Sequence, residues 1–335
     1  MPRCCGPIWA RKNWTGHWPS TGKGKDVSAR WTDRKRRRAL LIHRVLTASV
    51  AVPIILAAAW FGPPWITALA GLAAVIGVWE AYRLYSLSTT GNDGVAAKGL
   101  PAALGGIWSA ALVLGGELAA TPCDFAKTAG AICTAGCIAS ALWMIAAWRG
   151  RRWVNAALWL VLPPVCIGGG LACAVALRGI EQAPVADSLI PAQIANAGTG
   201  LWWLLLGILT VYAADTGAFS VGRLIGRHRM APAISPGKTW EGAAGGMAGA
   251  VIAAIALGSG TPLGLEVWQA AVTGVILGIV SPAGDLMESI AKRWAGVKDS
   301  GAIFPGHGGM LDRLDSLLPS FIVVYVMAVY LSAVK

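Results

Sequence analysis

Asp285 and Glu288 stand three residues apart, and so do Asp312 and Asp315, a spacing that puts both members of each pair on one helix face. Lys292 follows Glu288 by one turn on the same face. Carboxylates grouped in this way suit hard divalent cations, which take oxygen ligands and leave positions for phosphate oxygens. Between the two pairs runs Pro305, Gly306, His307, Gly308 and Gly309. Its backbone N–H groups are free of side-chain obstruction just before a helix start, so the loop is expected to cradle an anion. Upstream, Ile234 to Gly242 reads ISPGKTWEG. Gly237, Lys238 and Thr239 look like the end of a P-loop, but the first glycine of that motif would fall on Pro232, so it is not one. Ser235, Lys238 and Thr239 still suit a polyphosphate, through hydroxyl groups and a point charge.

Acidic residues are scarce, 16 in 335 positions, and Asp215, Glu241, Asp285, Glu288, Asp299, Asp312 and Asp315 all come after residue 200. Asp215 ends the apolar run LTVYAADTGAF, where an ionised carboxylate is costly unless it is paired or metal-bound.

The elements that must position these groups are membrane helices. Hydrophobic residues make up 56% of the chain and charged residues only 13%, which excludes whole-chain disorder and an ordinary soluble domain. A crossing helix needs about 20 mostly apolar residues. Candidate spans fall at 45–61, 65–82, 100–120, 128–148, 153–177, 200–219, 242–259, 266–284 and 317–334. The fold class is therefore an all-α polytopic integral membrane protein with about nine transmembrane helices. Gly245, Gly246 and Gly249 give the seventh span the small-residue spacing of a helix–helix contact. The seven cysteines have no metal-site spacing and read as small core residues.

The formal charge of +12 is concentrated in residues 1–44, where twelve cations face only Asp26 and Asp33. That leader reads as a flexible tail whose run Arg34 to Arg38 is drawn to anionic headgroups rather than to nucleic acid. With the amino terminus inside, all but three of the 28 Lys and Arg residues fall on the cytoplasmic side, the exceptions being Lys127, Arg178 and Lys335. The polar segments 215–241 and 285–316 then both face the cytoplasm. Three regions follow: the leader 1–44, transmembrane helices over 45–199, and a catalytic transmembrane region over 200–335.

The segment Ser289, Lys292, Arg293, Lys298, Asp299, Gly301, Phe304, Pro305, His307, Gly308, Gly309, Met310, Asp312, Arg313, Leu314 and Asp315 resembles the signature of the CDP-diglyceride synthetase family, also called phosphatidate cytidylyltransferase. DTGA at Asp215 and SPGKTWEG at Ser235 are also similar to family segments, so the likeness covers residues 200–335 closely. Two positions depart from the pattern: Ala291 replaces a larger aliphatic, and Phe219 with Ser220 replaces an aromatic pair led by tyrosine. The resemblance implies transfer of a cytidylyl group from CTP to phosphatidate, with Mg2+ and a second, monovalent cation such as K+. Asp285, Asp312 and Asp315 are the expected metal ligands, with Asp215 or Glu288 completing the set. Lys238, Lys292, Arg293, Lys298 and Arg313 are expected on the triphosphate and the lipid phosphate, with Gly308 and Gly309 lining the pocket. His307 either assists pyrophosphate departure or shapes the turn.

The expected partners are CTP, phosphatidate and membrane lipid, without nucleic acid; a homodimer is admitted. The expected location is a bacterial inner membrane, with the amino terminus and the site cytoplasmic. Two rival functions remain at this stage. A CTP-dependent polyprenol kinase would transfer the γ-phosphoryl group instead. An ion-coupled transporter would place its carboxylates near span centres, whereas here they lie at span ends.

Overall fold

A segment in hydrocarbon must satisfy its own backbone, so each apolar run closes into a helix. The computed structural model describes residues 49–88, 99–147, 153–180, 198–301, 303 and 308–334. Helix α1 is Ser49–Phe61, α2 Trp65–Ser88, α3 Leu100–Leu118 and α4 Pro122–Ala147. Trp153–Pro163 forms α5 and Gly169–Arg178 forms α6, joined without a break by a π-helical turn over Pro164–Gly168. Pro163 and Pro164 have no N–H to give to the preceding turn, so the ladder widens there instead of continuing. Then come α7 Thr199–Ile225, strands β1 Arg229–Ala231 and β2 Ser235–Thr239, α8 Trp240–Gly260, α9 Val267–Trp294, the single turn α10 Leu311–Leu314, and α11 Leu317–Val334.

Among the described residues, eight helical segments are long and apolar enough to cross a membrane, with α5–α6 and α10–α11 each counting as one. The protein is an all-α polytopic integral membrane protein. The first expected span, 45–61, is described from Ser49 on, as the shorter apolar helix α1. The leader 1–44 lies outside the described residues.

Small residues set the helix packing. A methyl group added to Gly217 of α7 would lie 2.5 Å from the Gly245 carbonyl oxygen of α8. One on Gly249 would lie 2.7 Å from Ala213 O, and one on Gly246 would lie 2.9 Å from Ala214 O. The glycine face expected on the seventh span thus seats α8 against α7, backbone to backbone. On the next interface, a methyl on Gly274 of α9 would come within 2.7 Å of Val251 Cα on α8. One apolar core joins α2, α3, α6 and α11 through residues such as Val78, Leu112, Leu171 and Phe321. A second joins α7, α9 and α11 through Trp203, Leu206, Leu277 and Val324.

Two differences from the sequence expectation matter for the site. The span expected to end at 284 continues without a break as α9 to Trp294, so Asp285, Glu288 and Lys292 share a helix face as expected, on the same helix as the apolar span. The Glu288–Lys292 ion pair at i,i+4 supports this polar extension, which the apolar count could not register. The segment around Ser235 is likewise no plain loop. β2 folds back antiparallel on β1, pairing Arg229 with Thr239 and Ala231 with Ser235 around an irregularity.

Candidate active site

Three elements converge at one end of the bundle: the β ribbon, the last turns of α9, and the start of α10. Gly284 permits the approach of α9 to the chain leading into α11. A side chain there would collide with the Asp315 carbonyl oxygen and would lie 2.9 Å from Pro319 Cγ. The close contact brings Asp285 and Glu288 to Asp315. One ligand oxygen from each of these three carboxylates lies within 4.8 Å of the others.

Cations flank this group on both sides. Lys238 Nζ, carried by the ribbon, is 2.8 Å from Asp285 Oδ2 and also donates to Pro282 O at 3.2 Å. Lys292 Nζ is 2.7 Å from Glu288 Oε2 and 2.6 Å from Asp312 Oδ1. Four carboxylates thus meet two ammonium groups, leaving an excess of two negative charges. Glu288 Oε1 is buried with no hydrogen-bond partner among the described residues. A buried carboxylate oxygen without a donor is expensive unless a cation completes it. Both the charge excess and this bare oxygen fit a divalent ion held by Asp285, Glu288 and Asp315.

Asp312 occupies a different place. Its Oδ2 accepts from Ser300 N at 3.0 Å, Ser300 Oγ at 3.0 Å and Gly309 N at 2.8 Å. With Oδ1 on Lys292, the carboxylate is committed to holding Ser300 and Gly309 onto α9. It stands next to the group of three and is not part of it. Asp215 is exposed, close enough to Asp285, Asp315 and Lys238 to feel their charges, and likewise outside the group.

The ribbon residues are tied down. Thr239 is buried, and its hydroxyl caps α8 by accepting from Gly242 N at 3.1 Å. Glu241 accepts backbone N–H bonds from Arg227 and His228 and meets His228 Nδ1 at 2.6 Å, closing the turn between α7 and β1. Arg293 donates through Nε to Ile234 O at 3.2 Å, bracing the ribbon against α9, and reaches Val297 O at 3.3 Å. Ser235 is half-buried on β2, while Lys298 and Arg313 are exposed.

Of the glycine loop, Gly308 and Gly309 are described, and Gly309 N is taken by Asp312 at 2.8 Å; just beyond it, Met310 N and Leu311 N donate to Glu80 Oε1 at 3.1 Å and Oε2 at 2.9 Å. Those N–H groups are occupied by the protein's own carboxylates, so they do not stand open for a substrate anion. Gly308 has φ of 84°, a left-handed conformation that a side chain would strain. His307, Pro305 and Gly306 lie outside the described residues.

Glu80 was not singled out from the sequence. It is fully buried in α2, in the apolar stretch VIGVWEAYRLY. The argument that drew attention to Asp215, a lone carboxylate within an apolar run, applies to Glu80 with equal force.

The sequence profile of the cytidylyltransferase family matches residues 42–331. The chain belongs to the cytidylyltransferase family. Among curated relatives, it is 45% identical over 124 residues to a phosphatidate cytidylyltransferase of Staphylococcus haemolyticus, covering 37% of this chain and 48% of the relative. A phosphatidate cytidylyltransferase of Mycobacterium bovis is 40% identical over 140 residues, 41% of this chain and 44% of the relative. That of Mycobacterium leprae is 42% identical over 124 residues, 36% and 38% of the two chains. Each of these alignments spans less than half of the relative's own length. The family match itself takes in all eight segments long enough to cross a membrane up to Leu331, so the ribbon, the carboxylate group and Glu80 all lie within the matched region.

Proposed function

We propose that the protein transfers the cytidylyl group of CTP to phosphatidate, giving CDP-diacylglycerol and pyrophosphate. One observation carries the reading: Asp285, Glu288 and Asp315 converge, flanked by Lys238 and Lys292, at one end of a membrane bundle of the cytidylyltransferase family. A lipid phosphate oxygen attacks the α-phosphorus of CTP, a new P–O bond forms, and the bond to the β-phosphate breaks with pyrophosphate leaving. The attacking oxygen is already ionised at neutral pH, so no general base is required. What must be supplied is neutralisation and alignment of two anions.

Magnesium bound by Asp285, Glu288 and Asp315 would neutralise the triphosphate, and a monovalent cation such as K+ is proposed beside it. Lys238 and Lys292 position the three carboxylates and add positive charge next to them. Exposed Lys298 and Arg313 are the side chains left to meet the phosphates of CTP and of the lipid. Because one substrate is soluble and the other anchored, a site at the bundle end serves both. The cation distribution supports placing that end at the cytoplasmic face, and the membrane proposed is a bacterial inner membrane.

The rival reaction, CTP-dependent phosphorylation of a polyprenol, is separated by the position of the label. Purified protein with Mg2+, phosphatidate, a polyprenol and α-labelled CTP is expected to move the label into lipid, and γ-labelled CTP in the same mixture to leave it in solution. Label entering lipid from the γ-position only would overturn the reading.

A further inference from the structure

Glu80 lies 230 residues before Met310 in the chain, yet the two share a hydrogen bond. The Glu80 side chain has no exposure to solvent, and three groups of the loop converge on it: Met310 N, Leu311 N and Ser300 Oγ, the last at 3.1 Å from Oε2. Ser300 Oγ is also 3.0 Å from Asp312 Oδ2; its single proton serves one carboxylate at a time, and Ser300 N donates to Asp312 Oδ2 at 3.0 Å, so this one residue joins the two carboxylates. Asp312 in turn holds Lys292, and Lys292 holds Glu288. An unbroken chain of polar contacts therefore runs from α2 to the carboxylate group.

Two glycines of the loop make room for this arrangement. A methyl group on Gly309 would lie 2.6 Å from Glu80 Oε1, and one on Gly301 would lie 2.8 Å from Glu80 Cδ and collide with Oε1. Neither glycine has its surroundings explained by substrate, since both pack on a protein carboxylate. Two consecutive N–H groups, of Met310 and Leu311, point at the Glu80 carboxylate as they would at a bound anion.

We propose that Glu80 is a positioning residue: its buried carboxylate acts as a built-in anion that holds Ser300, Met310 and Leu311 and, through Ser300, Asp312 and Lys292, sets Glu288 for metal. This rests on the carboxylate group being a divalent-cation site, as proposed above. Removing Glu80 frees the loop amides and lets Asp312 and Lys292 shift. Lys292, the contact directly behind the ligand Glu288, then loses its alignment, and disturbing the direct partner of a ligand costs about 10- to 100-fold in metal affinity.

The test uses full-length protein in detergent, with Glu80→Gln, Glu80→Ala and the pair Gly301→Ala and Glu80→Ala/Gly301→Ala. Amide exchange by mass spectrometry is read over peptides covering 308–316, and Mn2+ affinity by the electron paramagnetic resonance signal of the free ion. Both Glu80 variants are expected to speed exchange at Met310 and Leu311 without changing it in α7 and α8, and to weaken Mn2+ binding by at least about tenfold. Gly301→Ala alone should disturb the loop, whereas in the Glu80→Ala background it should add nothing, because the colliding carboxylate is gone. Wild-type exchange in Glu80→Ala overturns the hold on the loop. Faster exchange with unchanged Mn2+ affinity overturns the positioning role. If the wild type binds Mn2+ and shows the expected exchange yet transfers no cytidylyl group, the proposed reaction fails while the role of Glu80 stands.

Discussion

Lys292 Nζ lies 2.6 Å from Asp312 Oδ1 across twenty residues of sequence, and both side chains are nearly out of water. Glu288, one helical turn back, shares the same ammonium at 2.7 Å. One lysine therefore joins the end of α9 to the start of α10 and is shared by two carboxylates. Breaking such a buried group by removing its cation leaves charges uncompensated.

Lys292→Met is expected to lower stability by about 3–5 kcal/mol, since Glu288 and Asp312 would remain buried without their partner. Chemical denaturation in detergent micelles measures this. Lys292→Arg should not restore turnover, because a planar guanidinium cannot stand at the one point between the two carboxylates that an ammonium fills. Wild-type stability in Lys292→Met would mean that the pairs carry nothing.

Gly284→Ala tests whether close approach of α9 to Asp315 makes the site. The added methyl would strike the Asp315 carbonyl, an unyielding backbone atom, so Asp285 and Glu288 must move away from Asp315. Cytidylyl transfer should fall about 100-fold, the scale of an ångström-sized misplacement in a catalytic site. Gly71→Ala is the control, because nothing lies within 4 Å of a methyl there, and it should keep full activity.

Thr239→Ala separates helix capping from substrate contact. The hydroxyl accepts from Gly242 N, so the expected loss is about 1 kcal/mol of stability, with KM for CTP unchanged. Thr239→Ser should recover the stability. A raised KM in Thr239→Ala with normal stability would show the hydroxyl on the nucleotide instead.

Lys238→Ala removes the charge that the ribbon brings to Asp285. The pair is partly open to water, with side-chain exposures of 21% and 37%, so stability should change little. Turnover should fall by about 100-fold, because Asp285 loses the cation that positions it and a small misplacement at a catalytic site costs on that scale. Saturation with CTP at the wild-type rate would contradict this assignment.

Much of this was legible from residue types and spacing. The pairs 285/288 and 312/315, and the placing of Lys292 with the first pair, follow from helical periodicity and needed no knowledge of the fold. Span positions followed from apolar length, and Gly245, Gly246 and Gly249 announced a helix contact whose partner, α7, only the structure names. Three things escaped. Helix α9 outruns its apolar stretch by ten residues, because polar residues that pair along a helix keep it going without any hydropathy signal. The split between the two members of the 312/315 pair, one bonded to the loop and one facing Asp285 and Glu288, depends on how segments far apart in the chain meet. The occupied N–H groups of Met310 and Leu311 escaped for the same reason, since their partner Glu80 sits on α2.

The most direct measurement is an anomalous difference map from crystals soaked in Mn2+. The account requires a peak within about 2.2 Å of carboxylate oxygens from Asp285, Glu288 and Asp315, lost in Asp285→Asn/Asp315→Asn. A peak bound instead between Asp215 and Asp312, or no peak at the bundle end in protein that still turns over, would contradict it.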